Sequence, residues 1–231
     1  MLDKHSSIFT SKPVKEVGFF WDFKERQNYF KNREFFAFRV LNKYDLVKNF
    51  MLSGYKGERF IGESCPFYTC FPERSKAVVT RMATRNPLRR IFSAYKHYKK
   101  RGRDSEFRVF LESATGKNAV ETSHYFRQLE PYLSFLSRNQ LHLILFEDLL
   151  SNQASVLREV HSFIGCKDEP IDKIPHANRS PSGQEISDES IISALGTINI
   201  ASLNADLLKL SQFLERDLFG FWNLNLESAF T

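Results

Sequence analysis

The chain has 231 residues, enough for one sizeable hydrophobic core but short for two, so a single domain spanning residues 1–231 is expected. Apolar residues at 42% and charged residues at 26% exclude collagen-like, disordered and disulfide-scaffold classes. A net charge of +6, with a pI near 9.2, suits an anionic ligand or substrate without choosing one.

In chain order, the opening stretch from Met1 to Phe23 has no strand and no glycine-rich loop ahead of it, and within it lies Lys15-Glu16-Val17-Gly18-Phe19-Phe20. Read by itself, the Lys15-Glu16 pair is a surface ion pair at the end of an edge strand, followed by core Phe residues. From Arg33 to Met51, Phe36, Val40, Leu41, Tyr44, Val47 and Met51 recur at helical spacing. In the stretch from Phe60 to Tyr68, Gly62 and Pro66 read as turn residues.

Lys76 to Tyr98 is the most informative stretch. Alternating apolar residues predict a short buried strand over 78–84. Asn86-Pro87 then supplies a helix cap and a residue preset for the first turn. Leu88, Ile91, Phe92 and Tyr95 recur on one helix face, while Arg89, Ser93, Lys96, His97 and Lys100 form a cationic polar stripe on another. Helix N-termini present free N–H groups and the positive dipole end, so phosphate is favoured there. The basic run Lys99-Lys100-Arg101-Gly102-Arg103 either complements the helix dipole or attracts an acidic glycan.

Further on, a short helix is expected over Ser105–Ser113 and a longer one over Thr122–Arg138, with His124 ahead of Tyr125 in a structural role. Leu141 to Phe146 is the clearest buried strand, parallel to the first. Glu147 and Asp148 hold loop backbone and basic partners, and Asn152 caps a helix that Gly165 closes. Residues 167–184 read as a long loop, and Asn204 to Leu218 as an amphipathic helix with Leu207, Leu210, Leu214 and Leu218 on one stripe. The three cysteines, Cys65, Cys70 and Cys166, lie in no metal-binding cluster, so no metal is expected. No zinc-finger spacing or RNA-binding aromatic motif points to nucleic acid. No transmembrane run and no signal peptide are seen, so a cytoplasmic setting is expected.

The segment Arg85-Asn86-Pro87 with Ser93-Ala94-Tyr95 resembles the 3′-phosphate-binding motif of sulfotransferases that use 3′-phosphoadenosine-5′-phosphosulfate (PAPS). The Lys15 to Phe20 segment resembles the Lys-Glu-x-x-Phe-Phe stretch of the carbohydrate and heparan-type members, and Gly62-Glu63-Ser64 with the Glu147-Asp148-Leu149 run fit the same family. The resemblance covers about His5 to Gly220. It implies an α/β, three-layer, P-loop-like fold around a mostly parallel sheet, and sulfuryl transfer from PAPS to a hydroxyl or amine of a glycan or other acceptor. It further implies that Arg85 and Ser93 hold the nucleotide 3′-phosphate, with Lys173, Asn178 and Arg179 adding contacts from the long loop. Glu16 would serve as general base, and Lys15 would neutralise charge on the transferring group.

The family's first strand leads into a Lys-Gly-Thr-Thr-like loop that cradles the 5′-phosphosulfate, and His5-Ser6 stands where the following helix ends. No such loop occurs in this sequence. The expected consequences are a sheet lacking its first strand, a gap with exposed apolar edges, and little sulfotransfer by these residues. The alternative is a catalytically inactive remnant of the fold that binds a nucleotide or acidic glycan. A kinase-like P-loop enzyme is disfavoured by the absence of a Gly-x-x-x-x-Gly-Lys sequence.

Overall fold

The computed structural model describes residues 6–10, 54–62, 80–103, 105–134, 136–170 and 185–226. In chain order the elements are β1 (Ile8–Thr10), β2 (Phe60–Gly62), β3 (Thr80–Thr84), α1 (Pro87–Lys100), α2 (Phe107–Glu112), α3 (Ala114–Glu121), α4 (Tyr125–Leu133), a 3₁₀ turn (Arg138–Gln140), β4 (Leu141–Leu145), α5 (Phe146–Ser151), α6 (Gln153–Ile164), α7 (Asp188–Leu214) and α8 (Leu218–Trp222). The chain divides into two compact units. One is built from Met1–Val79 with Asn152–Pro175, the other from Thr80–Ser151 with His176–Thr231.

In the first unit, β1 and β2 pair in parallel, with Ile8 opposite Phe60 and Thr10 opposite Gly62. This corrects one expectation: Gly62 lies in a strand rather than a turn. Three residues are too few for alternation to be read, and burial of both Ile8 and Phe9 takes the place of a pattern. Phe9 meets Tyr55 edge to face at 5.6 Å. In the same unit α6 starts at Asn152, whose side chain accepts from the Ser155 N–H, and ends at Gly165 with φ of 77°. Both ends match the sequence reading. Val156, Leu157 and Val160 form its buried face, and buried His161 holds Asp168 at 2.9 Å through Nδ1.

The second unit is organised on the parallel pair β3–β4, with Thr80 opposite Leu141 and Thr84 opposite Leu145. The two strands are direct neighbours, so no gap lies between them. The strand expected to end at Phe146 stops at Leu145, because Phe146 already begins α5. Leu88, Ile91 and Phe92 of α1 join a core with Leu129 and Tyr132 of α4, Leu141 and Leu145 of β4, and Ile191, Leu203, Leu207 and Leu210 of α7. An aromatic cluster of Phe92, Tyr95, Tyr98, Phe107 and Phe110 ties α1 to α2, and the Tyr95 hydroxyl donates to the Ser105 carbonyl at 2.8 Å.

The helix expected over Thr122–Arg138 is shorter, and α3 before it escaped the sequence reading. Ser113 both ends α2 and caps α3, accepting from the Gly116 N–H at 3.1 Å. His124 is buried, with Nδ1 3.1 Å from the Val120 carbonyl and Nε2 2.9 Å from the Ser202 hydroxyl. Its structural role is as expected. Asp206 reaches from α7 to accept the Phe126 and Arg127 N–H groups at 3.0 and 2.8 Å, capping α4 from another helix.

The C-terminal helix also begins earlier than expected, at Asp188 with Ser187 as cap, and kinks at Gly196. Gly196 has φ 73° and ψ 163°, a region open in practice to glycine alone. Asn199 donates from Nδ2 to the Leu195 carbonyl at 2.7 Å, satisfying an acceptor that the kink frees. By length and composition α7 could cross a membrane, yet Ile191, Leu195, Ile200, Leu203, Leu207 and Leu210 on it are buried in the core. Past its end, Arg216 grips Asp148 with two contacts, at 2.5 and 3.0 Å, as expected of an acidic residue after β4.

The α2–α3 junction supplies a test of packing. A Cβ on Gly116 would lie 2.0 Å from the Phe110 carbonyl oxygen and 2.7 Å from Leu111 Cα, both backbone atoms. Gly116→Ala is expected to destabilise the protein by about 1–3 kcal/mol, despite the better helix propensity of Ala. Lys117→Ala on the exposed side is expected to change stability by less than about 0.5 kcal/mol. Chemical denaturation of both variants checks this.

Candidate functional site

The carboxyl ends of parallel strands are where open α/β sheets bind ligands. Here β3 and β4 end side by side, with Thr84 opposite Leu145. Arg85 and Asn86 make the turn into α1, and Glu147 follows β4 at the start of α5. As predicted, Asn86 is the cap, its Oδ1 accepting from the Arg89 N–H at 3.1 Å, and Pro87 opens the helix.

The rest of the turn is held by residues distant in sequence. The Arg85 N–H donates to the Tyr125 hydroxyl at 3.3 Å, and the Asn86 N–H donates to Glu147 Oε1 at 3.3 Å. Burial pushes the Tyr125 phenol up to about 12, against the Arg90 charge and the Arg85 N–H, which pull it down, while the Glu147 charge adds to the rise. Tyr125 is therefore a neutral acceptor at any ordinary pH. Glu147 carries out the backbone-holding role expected of it. With the N–H groups of Arg85, Asn86 and Arg89 engaged and none on Pro87, anion recognition here falls mainly to side chains rather than to the free helix N-terminus read from the sequence.

Those side chains are available. The half-buried Arg85 guanidinium lies 5.1 Å over the Phe146 ring and has no ion-pair partner among the described residues. Stacking leaves the edge N–H donors of a guanidinium free, in the forked geometry that suits phosphate. The Ser93 hydroxyl, partly exposed on α1, has no hydrogen-bond partner among the described residues. Two further oxygens at the strand ends, Thr84 Oγ1 and Glu147 Oε2, are buried without one. Buried polar atoms are rarely left without protein or water partners, so these two oxygens call for a polar partner that the described residues do not supply.

Of the residues singled out in sequence, Arg85 and Ser93 sit on one strand–turn–helix unit. Lys15, Glu16, Lys173, Asn178 and Arg179 lie outside the described residues. The sequence reading placed Tyr125 only on the helix expected over Thr122–Arg138. No local signal marks it as the Arg85 anchor, because the two are 40 positions apart.

This arrangement, a parallel strand pair with a cationic turn at its carboxyl end, is that of an α/β protein. Comparison with known proteins narrows the class. Residues 72–181 match the family model of the sulfotransferase domain. The chain is similar to a sulfotransferase from Alicyclobacillus acidocaldarius at 25% identity and a TM-score of 0.67, over 96% of this chain and 91% of that one. It also aligns with the sulfotransferase domain from the curacin biosynthetic pathway at 20% identity and a TM-score of 0.49, over 79% of this chain and 74% of that one. No curated protein matches. The chain is thus similar to sulfotransferases, and the matched stretch holds the motifs around Arg85 and Ser93.

Tyr125→Phe removes the acceptor for the Arg85 N–H. The expected loss of stability is about 1–3 kcal/mol. The phenol ionises near 10 when unfolded and near 12 when folded, so its contribution is complete below pH 10 and is lost as pH rises towards 12. Tyr125→Phe should therefore lose less stability between pH 10 and 12 than the wild type does, as followed by denaturation at fixed pH values.

Proposed function

We propose that this chain carries out, or forms the larger part of a protein that carries out, transfer of a sulfuryl group from PAPS to a hydroxyl or amine acceptor, a glycan being one such acceptor. The observation that carries the reading is a pair of groups at the end of β3 and on α1, the Arg85 guanidinium without an ion-pair partner and the Ser93 hydroxyl without a hydrogen-bond partner among the described residues. The sulfotransferase family match and the likeness to a solved sulfotransferase support it.

In this reading Arg85 binds the nucleotide 3′-phosphate through its fork of N–H donors, and Ser93 donates its hydroxyl to the same group. Phe146 and the Tyr125–Glu147 brackets hold Arg85 in place, so its orientation is set before ligand arrives. Lys173, Asn178 and Arg179 add contacts to the nucleotide. Glu16 accepts the proton of the acceptor hydroxyl or amine as its oxygen or nitrogen attacks sulfur in line, and Lys15 offsets negative charge on the group in transfer. PAPS supplies the sulfuryl group, and adenosine 3′,5′-bisphosphate is the other product.

Calorimetric titration of adenosine 3′,5′-bisphosphate tests the nucleotide site. Arg85→Lys keeps the charge but loses the bidentate fork, and Ser93→Ala removes one donor; each is expected to weaken binding by about 1–3 kcal/mol. Equal affinity in all three proteins would remove Arg85 and Ser93 from the site. Radiolabelled sulfate transfer from PAPS to a panel of glycans, phenols and amines tests the chemistry, with Glu16→Gln expected to abolish most turnover in a protein that shows it.

A further inference from the structure

Ser93 shares its face of α1 with two cations, Arg89 one turn before it and Lys96 one turn after. Both point at the same carboxylate. Lys96 Nζ lies 2.8 Å from Glu185 Oε1, and Arg89 Nη1 lies 3.5 Å from Glu185 Oε2. Arg89 is anchored independently, with Nη1 donating to the Ile186 carbonyl at 3.0 Å and Nη2 3.0 Å from Asp188 Oδ1. Lys96 also lies 5.3 Å over the Phe92 ring, and its side chain is 19% exposed against 66% for Glu185.

The Lys96 hydrogen bond holds the Glu185 carboxyl below the usual carboxylate range, and the charges of Lys96, Arg89 and Arg85 add to the effect. One exposed carboxylate is held by two cations, Arg89 and Lys96, that flank on α1 a serine hydroxyl without a hydrogen-bond partner among the described residues. These are the components of an anion site, with the anion supplied by the chain itself.

Resting on the reading that Arg85 and Ser93 bind a 3′-phosphate, we propose that Glu185 is an internal stand-in for that phosphate, and that ligand binding transfers Lys96 from Glu185 to the phosphate. Lys96 becomes a further phosphate-binding residue, while Arg89 stays anchored to Ile186 and Asp188. Glu185 lowers apparent affinity by competition, since the binding-competent state is the fraction in which the carboxylate has left. The exchange also selects the ligand. A phosphomonoester brings nearly two negative charges in place of one, whereas a nucleotide without a 3′-phosphate offers Lys96 no replacement for the carboxylate.

The experiment titrates adenosine 3′,5′-bisphosphate and adenosine 5′-monophosphate into wild type, Glu185→Gln, Lys96→Gln, the double variant and Arg85→Ala. Glu185→Gln is expected to tighten the bisphosphate by about two- to fivefold, the range set by a partly exposed ion pair. Lys96→Gln should weaken it, and the gain from Glu185→Gln should vanish in the double variant. The monophosphate should discriminate less between wild type and Lys96→Gln. Loss of binding in Arg85→Ala with no change in Glu185→Gln would overturn the stand-in role and leave the nucleotide site intact. Binding that is indifferent to Arg85→Ala, or absent from every variant, would overturn the site and the proposal together.

Discussion

The turn between β3 and α1 is the constraint on which the rest of the second unit depends. A strand must stop at buried Thr84, and a helix must begin at Pro87, within two intervening residues. Proline and the Asn86 cap make that change of direction possible locally. They do not fix where the turn points. That is done from outside, by the Tyr125 hydroxyl on the Arg85 amide and the Glu147 carboxylate on the Asn86 amide. Two elements far along the chain, α4 and α5, thus converge on consecutive peptide groups. The same brackets occupy backbone donors that a simple helix N-terminus would offer to an anion.

The helix α1 serves two sides at once. Leu88, Ile91 and Phe92 are buried in the core, and Arg89, Ser93 and Lys96 are placed on the opposing face by the same 3.6-residue period. Core packing therefore holds the cationic face rigid. Arg90 adds a third attachment, donating to the Ala119 carbonyl and the Ser123 hydroxyl at 3.1 Å each. The consequence is a site whose charged groups ride on a well-packed element, while their counter-charges, Glu185 and Asp188, come from the entry to α7. Polar brackets recur across the unit: Asp206 caps α4 from α7, and Asp148 holds Arg216 beyond the end of α7. In each case a carboxylate on one element satisfies donors on another, which sets the register between helices more sharply than apolar contact alone.

Much of this was legible in the sequence. The alternation before Thr84, the Asn86-Pro87 pair and the helical recurrence after it determined a strand, a turn and a helix, because cap chemistry and side-chain period act over a few residues. Asn152 and Gly165 determined α6 in the same way, and the residue spacing from Arg85 to Ser93 pointed to the likeness to sulfotransferases. Tertiary structure decided the remainder. The pairing of β1 with β2 rests on burial of residues too few to show a period. Helix α3 follows α2 across the single residue Ser113, so the boundary is set by close packing at Gly116 rather than by a breaker. The anchoring of Arg85 by Tyr125, and the Glu185 carboxylate facing Lys96, join residues 40 and 89 positions apart. No local propensity encodes such contacts; they exist only once the chain has brought distant hydrogen-bonding and charged groups together.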